Sequence, residues 1–284
     1  MVKHSLIFLH GMGTDDPAKS YEKLWKRIAV NYERSRQLKS GTFEMLFKPV
    51  FVNYHETTAG AKKDIFDAAF PNLSGLNPIR PLRYFVTFYL GDVTAYVSEN
   101  DNNITGTVWQ QIKMATLEGP YSLIGHSLGS VIAFDFLYQL LERDRLFLPK
   151  PDSASLDSQQ EIQEFADNKA RIQKNFRNLF TLGSMVGLFM MRAGGLWRND
   201  AAFGEIVNPI RQLAENDICR SWLNFYDKED VLAYPLENLF DLNPNNIYRS
   251  IEDVEIQTGN LVYDSHTNYW SNNKMAAKIA ASFR

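Results

Sequence analysis

The chain has 284 residues, 45% of them hydrophobic, which is enough apolar material to fill a substantial core. Its formal net charge is −3 and no stretch gathers Lys and Arg, so nucleic acid is not an expected partner. The single cysteine, Cys219, cannot form an intrachain disulfide, and we interpret it as a small buried apolar residue.

The first apolar run, residues 6–9, is too short for a signal-peptide core and is interpreted as a strand. No stretch approaches the ~20 apolar residues that a membrane-spanning helix needs, although residues 82–97 are rich in aromatic side chains. We therefore expect a cytoplasmic protein. Signal-independent export and peripheral docking of residues 82–97 on lipid stay open as alternatives.

Strand-like and helix-like segments alternate along the chain. The predicted strands are residues 5–9, 45–52, 121–124, 178–182, 222–226 and 251–256, and the predicted helices are residues 19–36, 130–141 and 272–283. This alternation predicts an α/β fold with a doubly wound, mostly parallel sheet of at least six strands.

Two segments, residues 55–107 and 149–173, are longer than a short connection requires, and we interpret them as insertions in a single domain. The second is polar, which predicts an exposed loop and a surface helix. The first contains residues 82–90, which are too apolar to be left in water. They form either a packed accessory helix, which the composition favours, or a lid over a site.

The most informative motif is the run Gly125-His126-Ser127-Leu128-Gly129, which we call the elbow. A buried strand precedes it and a helix follows, so Ser127 lies on a sharp strand-to-helix turn with strained backbone geometry. Glycine two residues to either side removes Cβ atoms that would collide there. The Leu128 amide then faces the space above the Ser127 hydroxyl and can bind a developing oxyanion.

A serine hydroxyl needs an adjacent base, most often histidine. The chain has five histidines. Four are poorly placed to take the serine proton. His4 precedes the first strand and His55 lies in an insertion. His126 neighbours Ser127 and is expected to project away from it, and His10 begins a glycine-rich loop. His266 follows the last strand, in a loop at the same sheet edge as the elbow, and is the predicted base.

The carboxylate that orients the histidine should come from a loop at that edge. Residues 227–235 follow the strand at 222–226. Asp230 is the preferred acid, because the apolar residues after it can anchor the loop and exclude water, and Asp227 is the runner-up. Asp264 is close to His266 in sequence but is better explained as a loop or cap residue.

The order Ser127, Asp230, His266 is that of the α/β-hydrolases, and the chain outside its insertions resembles that superfamily, particularly the lipase and esterase branches. The run His10-Gly11-Met12-Gly13 resembles their oxyanion loop, which implies the Met12 amide as a second donor. Residues 180–184 are similar to a strand end that lipase-like members follow with proline, where this chain has methionine. Residues 90–93 and 265–270 are similar to segments of uncharacterised bacterial members.

The predicted activity is acyl transfer to water by a serine hydrolase with no cofactor and no metal. Residues 182–191 are apolar, and Met185 and Met190 suit an adaptable acyl pocket, which favours a lipophilic ester or lipid-like small molecule; a packed core strand and helix explain them equally well. Thioesterases, amidases or peptidases, and acyltransferases use the same three residues. A non-catalytic binding scaffold is the alternative from another class, and the oligomeric state is open.

Overall fold

A computed structural model describes residues 2–11, 17–54, 96, 102–141, 156–189, 221–240, 251–259 and 262–283. Within these ranges, six strands form one sheet in the order β2-β1-β3-β4-β5-β6, and every neighbouring pair is parallel. The strands are β1 (His4–Leu9), β2 (Phe47–Val52), β3 (Tyr121–His126), β4 (Phe176–Leu182), β5 (Ser221–Tyr226) and β6 (Ile251–Glu255). The predicted α/β class and parallel sheet are confirmed.

Apolar side chains cover both faces of the sheet, because successive residues of a strand point to opposite sides. In β1, Leu6 and Phe8 belong to one hydrophobic cluster and Ile7 and Leu9 to the other. All four are buried. A strand of this kind needs helices on both of its faces.

Helices supply that cover. They are α1 (Pro17–Ser35), α2 (Thr42–Leu46), α3 (Asn102–Glu118), α4 (Leu128–Leu141), α5 (Leu156–Asn175), α6 (Val186–Phe189), α7 (Glu237–Phe240), α8 (Val262–Thr267) and α9 (Asn273–Ser282), with a 3₁₀ turn at Asn268–Ser271. The apolar sides of α1 and α9 share one cluster, and those of α3, α4 and α5 share the other. This arrangement is compatible with a doubly wound fold.

Several predicted boundaries are corrected. The helix after the elbow begins at Leu128 rather than at residue 130, and β2 begins at Phe47, because residues 42–46 form α2. Residues 102–107, assigned above to the first insertion, belong to α3. The second predicted insertion ends in α5, whose Phe165 and Ile172 are fully buried, so one face of that helix packs on the core.

Residues 82–90, the proposed accessory helix or lid, lie outside the described residues, as does Cys219. Tyr96 is described, and its hydroxyl donates a 2.6 Å hydrogen bond to Asp135 of α4. In the part of the chain that the structure describes, no helix has the length and apolar composition to cross a bilayer.

Candidate active site

The sheet order reverses at β1, since the chain moves from β1 to β2 on one side and then to β3 on the other. Where the order reverses, the helices that follow the two neighbouring strands lie on opposite faces, which leaves a crevice outside the carboxyl ends of those strands. Gly11 follows β1 and Ser127 follows β3, so both lie at this crevice.

The elbow has the predicted geometry. Ser127 has φ 54°, in the left-handed region that non-glycine residues rarely adopt. Its N–H donates to the Leu182 carbonyl at 3.0 Å, and its carbonyl accepts from the Ser130 N–H at 3.0 Å. A Cβ on Gly129 would collide with the carbonyl oxygens of Leu9 and His10, so glycine lets the start of α4 lie directly against the end of β1. The turn therefore holds Ser127 at a defined point beside β1.

His266 lies at the end of α8 and contacts Ser127, with 2.8 Å between His266 Nε2 and Ser127 Oγ. The loop predicted for this segment is a short helix. Asp264 lies in its first turn, where a carboxylate interacts favourably with the helix dipole. The second ring nitrogen, His266 Nδ1, lies 2.9 and 3.0 Å from the two carboxylate oxygens of Asp230. Because an ionised carboxylate only accepts, Nδ1 carries the proton and Nε2 accepts from the serine hydroxyl.

Asp230 and His266 are both almost completely shielded from solvent, with side-chain exposures of 0% and 4%. Asp230 Oδ1 also accepts from the Leu232 N–H at 3.0 Å. Burial by itself raises the pKa of this carboxyl, but hydrogen bonds and charge from His266, the Leu232 N–H and the Tyr269 hydroxyl outweigh it, so the pKa lies below its ordinary value. Asp230 is therefore held ionised against His266.

Asp227, the runner-up acid, has different partners. Its Oδ2 accepts from the N–H and the hydroxyl of Thr258, at 2.5 and 2.8 Å, and its Oδ1 accepts from the Glu229 N–H at 3.0 Å. Burial raises the pKa of this carboxyl, yet these hydrogen bonds lower it more. Asp227 joins the loop after β5 to the segment after β6, and the structure brings Asp230 rather than Asp227 to His266.

Two backbone segments border the Ser127 hydroxyl. Leu128 is the first residue of α4, and the first amides of a helix have no acceptor within it. On the other side, a Cβ on Gly11 would lie 2.5 Å from Ser127 Cβ, so this loop passes directly over the serine. Met12, the second expected oxyanion donor, lies outside the described residues.

Two neighbours of His266 went unrecognised in the sequence. His126 was expected to project away from the site, but its ring lies 5.0 Å from that of His266, and its Nε2 donates to the His266 carbonyl at 2.7 Å. Burial and the nearby imidazole of His266 lower the pKa of His126 to about 3. Tyr269 donates to Asp230 Oδ2 at 2.9 Å. It lies one helical turn after His266, a spacing that is the only sequence signal for it.

Of the remaining histidines, His4 and His10 are described, and each has partners other than the Ser127 hydroxyl. His4 lies at the opposite end of β1, where its Nε2 is 2.9 Å from Ser122 Oγ. The His10 ring stacks on Tyr54 with centroids 4.1 Å apart, and its Nε2 accepts from the Tyr54 N–H at 3.4 Å. His55 lies outside the described residues.

Met185 follows β4 and reaches the crevice, with its Sδ 3.5 Å from Ser127 Oγ. It is buried together with Val186 and Phe189 of α6. Met190 lies outside the described residues. Met185, at the start of the 182–191 segment, thus contacts the serine.

Among the described residues, no group of three or more His, Cys, Asp or Glu side chains is arranged to hold a metal ion. No protein-family model matches this chain, and no curated protein matches it. Any functional assignment therefore depends on the chemistry of these residues.

Proposed function

We propose that the chain is a serine hydrolase of the α/β-hydrolase type that cleaves carboxylic esters through an acyl-enzyme. The observation that carries this proposal is the unbroken hydrogen-bond chain from the Ser127 hydroxyl through His266 to Asp230. These three residue types in this connection form the common apparatus for activating a serine. Their order along the chain and the turn under Ser127 agree with the nucleophile elbow of that superfamily.

In the first half of the reaction, Ser127 Oγ attacks the ester carbonyl carbon while His266 Nε2 takes the hydroxyl proton. The negative charge moves to the carbonyl oxygen, where the Leu128 N–H binds it. Removing one oxyanion donor of this kind typically costs about 2.7–4 kcal/mol of transition-state stabilisation. Collapse of the intermediate breaks the bond to the alkoxy oxygen, which leaves as the alcohol with the proton from Nε2.

In the second half, water attacks the acyl-enzyme carbonyl and gives one proton to His266 Nε2. The intermediate expels Ser127 Oγ, which recovers that proton, and the carboxylic acid leaves. Asp230 keeps the imidazole in the tautomer with Nδ1 protonated and stabilises the imidazolium that forms twice per cycle.

The methionine side chain beside the serine favours a lipophilic acyl group. Met185 Sδ lies 3.5 Å from Ser127 Oγ, and a thioether side chain adapts its shape to different acyl chains. A substrate must displace or slide along this side chain to reach the serine. Replacing it with alanine should therefore shift the preferred acyl length upward.

A fluorophosphonate probe tests the nucleophile. We expect labelling of the wild-type protein at Ser127 and none of Ser127→Ala. Ser122→Ala is the matched control, since Ser122 is equally buried in β3 but lies near His4 at the far end of the strand. Failure to label the wild type, or equal labelling of Ser127→Ala, would contradict the proposal and favour a non-catalytic binding scaffold.

The bond that is cleaved needs a second assay. Aryl esters of increasing acyl length, acyl-CoA thioesters and peptide amides should be compared, with wild type and Met185→Ala side by side. The proposal expects the highest kcat/KM on esters. Negligible rates on every ester, with labelling retained, would overturn the ester assignment and keep the serine nucleophile.

A further inference from the structure

Tyr269 lies in the 3₁₀ turn directly after His266 and is completely buried. Its hydroxyl oxygen accepts from the backbone N–H of Asp227 at 2.9 Å. The same hydroxyl lies 2.9 Å from Asp230 Oδ2. An amide N–H can only donate, so the phenol proton is available for the carboxylate, and the direction of both hydrogen bonds is determined.

The ring itself is held from two sides. A Cβ on Gly183 would lie 2.8 Å from a Tyr269 ring carbon, so the end of β4 lies directly against the ring. The His126 imidazole packs near it, with centroids 5.6 Å apart. Gly183 has φ 54°, which glycine adopts without strain. The tyrosine therefore has little freedom to move its hydroxyl away from Asp230.

We propose that Tyr269 is a positioning residue that fixes the plane of the Asp230 carboxylate against His266. This inference rests on the proposed function, in which Asp230 orients the base. Leu232 N–H binds Oδ1 and Tyr269 binds Oδ2, so the two oxygens have separate donors and both remain within 3.0 Å of His266 Nδ1. Without the phenol the carboxylate pivots about its Leu232 hydrogen bond.

The charged and titratable groups next to Tyr269, Asp230 and His266 come from two other parts of the sheet. His126 at the end of β3 contacts His266, and Asp227 after β5 donates its backbone N–H to Tyr269 and also acts on the phenol through its charge. The phenol pKa of Tyr269 is raised, by burial first and then by the charge of Asp230. Tyr269 is therefore a neutral donor at every pH at which the protein is assayed.

Tyr269→Phe removes the oxygen alone and keeps the ring that packs on His126. The first measurement is the NMR resonance of the His266 Nδ1 proton, assigned by its loss in His266→Gln. We expect its exchange with water to become about tenfold faster, because Asp230 loses a hydrogen bond that helps to hold its carboxylate against His266. This measurement does not need catalysis, so it decides the role of Tyr269 even if the proposed hydrolase activity fails.

The matched control is Tyr21→Phe, which loses a buried phenol hydrogen bond of 2.8 Å to the Val52 carbonyl and does not contact Asp230 or His266. We expect wild-type exchange of the His266 proton in this variant. Urea unfolding should show a loss of stability in both variants, since each removes a buried hydroxyl. Unchanged exchange in Tyr269→Phe, or equal acceleration in Tyr21→Phe, would overturn the proposal.

A double-mutant cycle shows whether Tyr269 acts through Asp230. We expect Tyr269→Phe to slow fluorophosphonate labelling about tenfold in the wild-type background and to have no effect in Asp230→Asn. An effect that is the same size in both backgrounds would mean that Tyr269 acts independently of the carboxylate, and the proposal would be wrong.

Discussion

At the scale of single residues, two aspartates three sequence positions apart have nearly the same burial and different contacts. Counted over the whole residue, backbone included, Asp230 is 2% exposed and Asp227 is 3% exposed, so burial does not distinguish them. Their partners do: a histidine side chain for Asp230 and a threonine for Asp227. A carboxylate can orient His266 only where its oxygens reach Nδ1, so substitutions of these two aspartates test the proposed site directly.

Asp230→Asn should lower kcat for ester hydrolysis by about 10³–10⁴, because an amide NH₂ can donate to Nδ1 and favours the tautomer that cannot accept the serine proton. Asp227→Asn is the control. It should reduce the free energy of unfolding, since the Thr258 N–H and hydroxyl lose their charged acceptor, and keep most of the rate. Equal losses of kcat in the two variants would contradict the assignment of the acid.

The contact between Ser127, His266 and Asp230 could be anticipated because each of the three follows a strand whose pattern is visible in the sequence. His126 and Tyr269 could not, since their roles depend on how β3, β4 and the 3₁₀ turn approach one another in space. The short range of sequence patterns explains both results: they locate strand ends, whereas contacts between side chains of different elements are decided by packing.

At the scale of elements, the contact between α4 and β1 determines where the serine lies. The backbone of Leu9 and His10 occupies the space that a side chain at Gly129 would need, which leaves no room for a methyl group.

Helix α3 was not predicted from the sequence, because Thr105, Gly106 and Thr107 have weak helix propensity near its start. Packing of Ile104, Val108 and Trp109 into the core compensates for that weakness.

Gly129→Ala should lower the free energy of unfolding by about 1–3 kcal/mol and slow fluorophosphonate labelling, because the helix must move off β1. Gly106→Ala is the matched control in α3, where no described atom beyond the neighbouring residues and the local helix backbone lies within 4 Å of the added methyl group. That change should stabilise the protein by about 0.5–1 kcal/mol through lower backbone entropy of the unfolded chain. Urea unfolding measures both, and a Gly129→Ala variant as stable and as reactive as wild type would show that the contact is not tight.

At the scale of the whole molecule, ionisable groups in the core make stability depend on pH. His126 is buried, and its pKa of about 3 lies below the ordinary value of 6.5. Between these values the unfolded chain binds a proton that the folded protein does not. The lowered pKa values of Asp227 and Asp230 act in a lower range: their stabilisation is present above the unfolded value of 3.8 and is lost as the pH falls through the folded values.

We expect the contribution of His126 to the free energy of unfolding to decrease as the pH falls below 6.5, approaching about 1.4 kcal/mol per pH unit. His126→Gln should remove this slope, because glutamine does not titrate and its Nε2 can still donate to the His266 carbonyl. Denaturant unfolding of both proteins from pH 7.5 to 4.5 gives the difference. Parallel curves would show that His126 titrates normally in the folded protein.

The all-parallel sheet also has a kinetic consequence. Ser127 and His266 are 139 residues apart in the chain, and His266 and Asp230 are 36 apart. Parallel strands pair only across long connections, so the pairing of β1, β3, β4, β5 and β6 brings together segments that are remote in sequence, which slows folding. During refolding from denaturant, labelling at Ser127 should therefore recover with the last strand pairing and after most of the helical circular dichroism signal, which makes the serine a reporter of the finished fold.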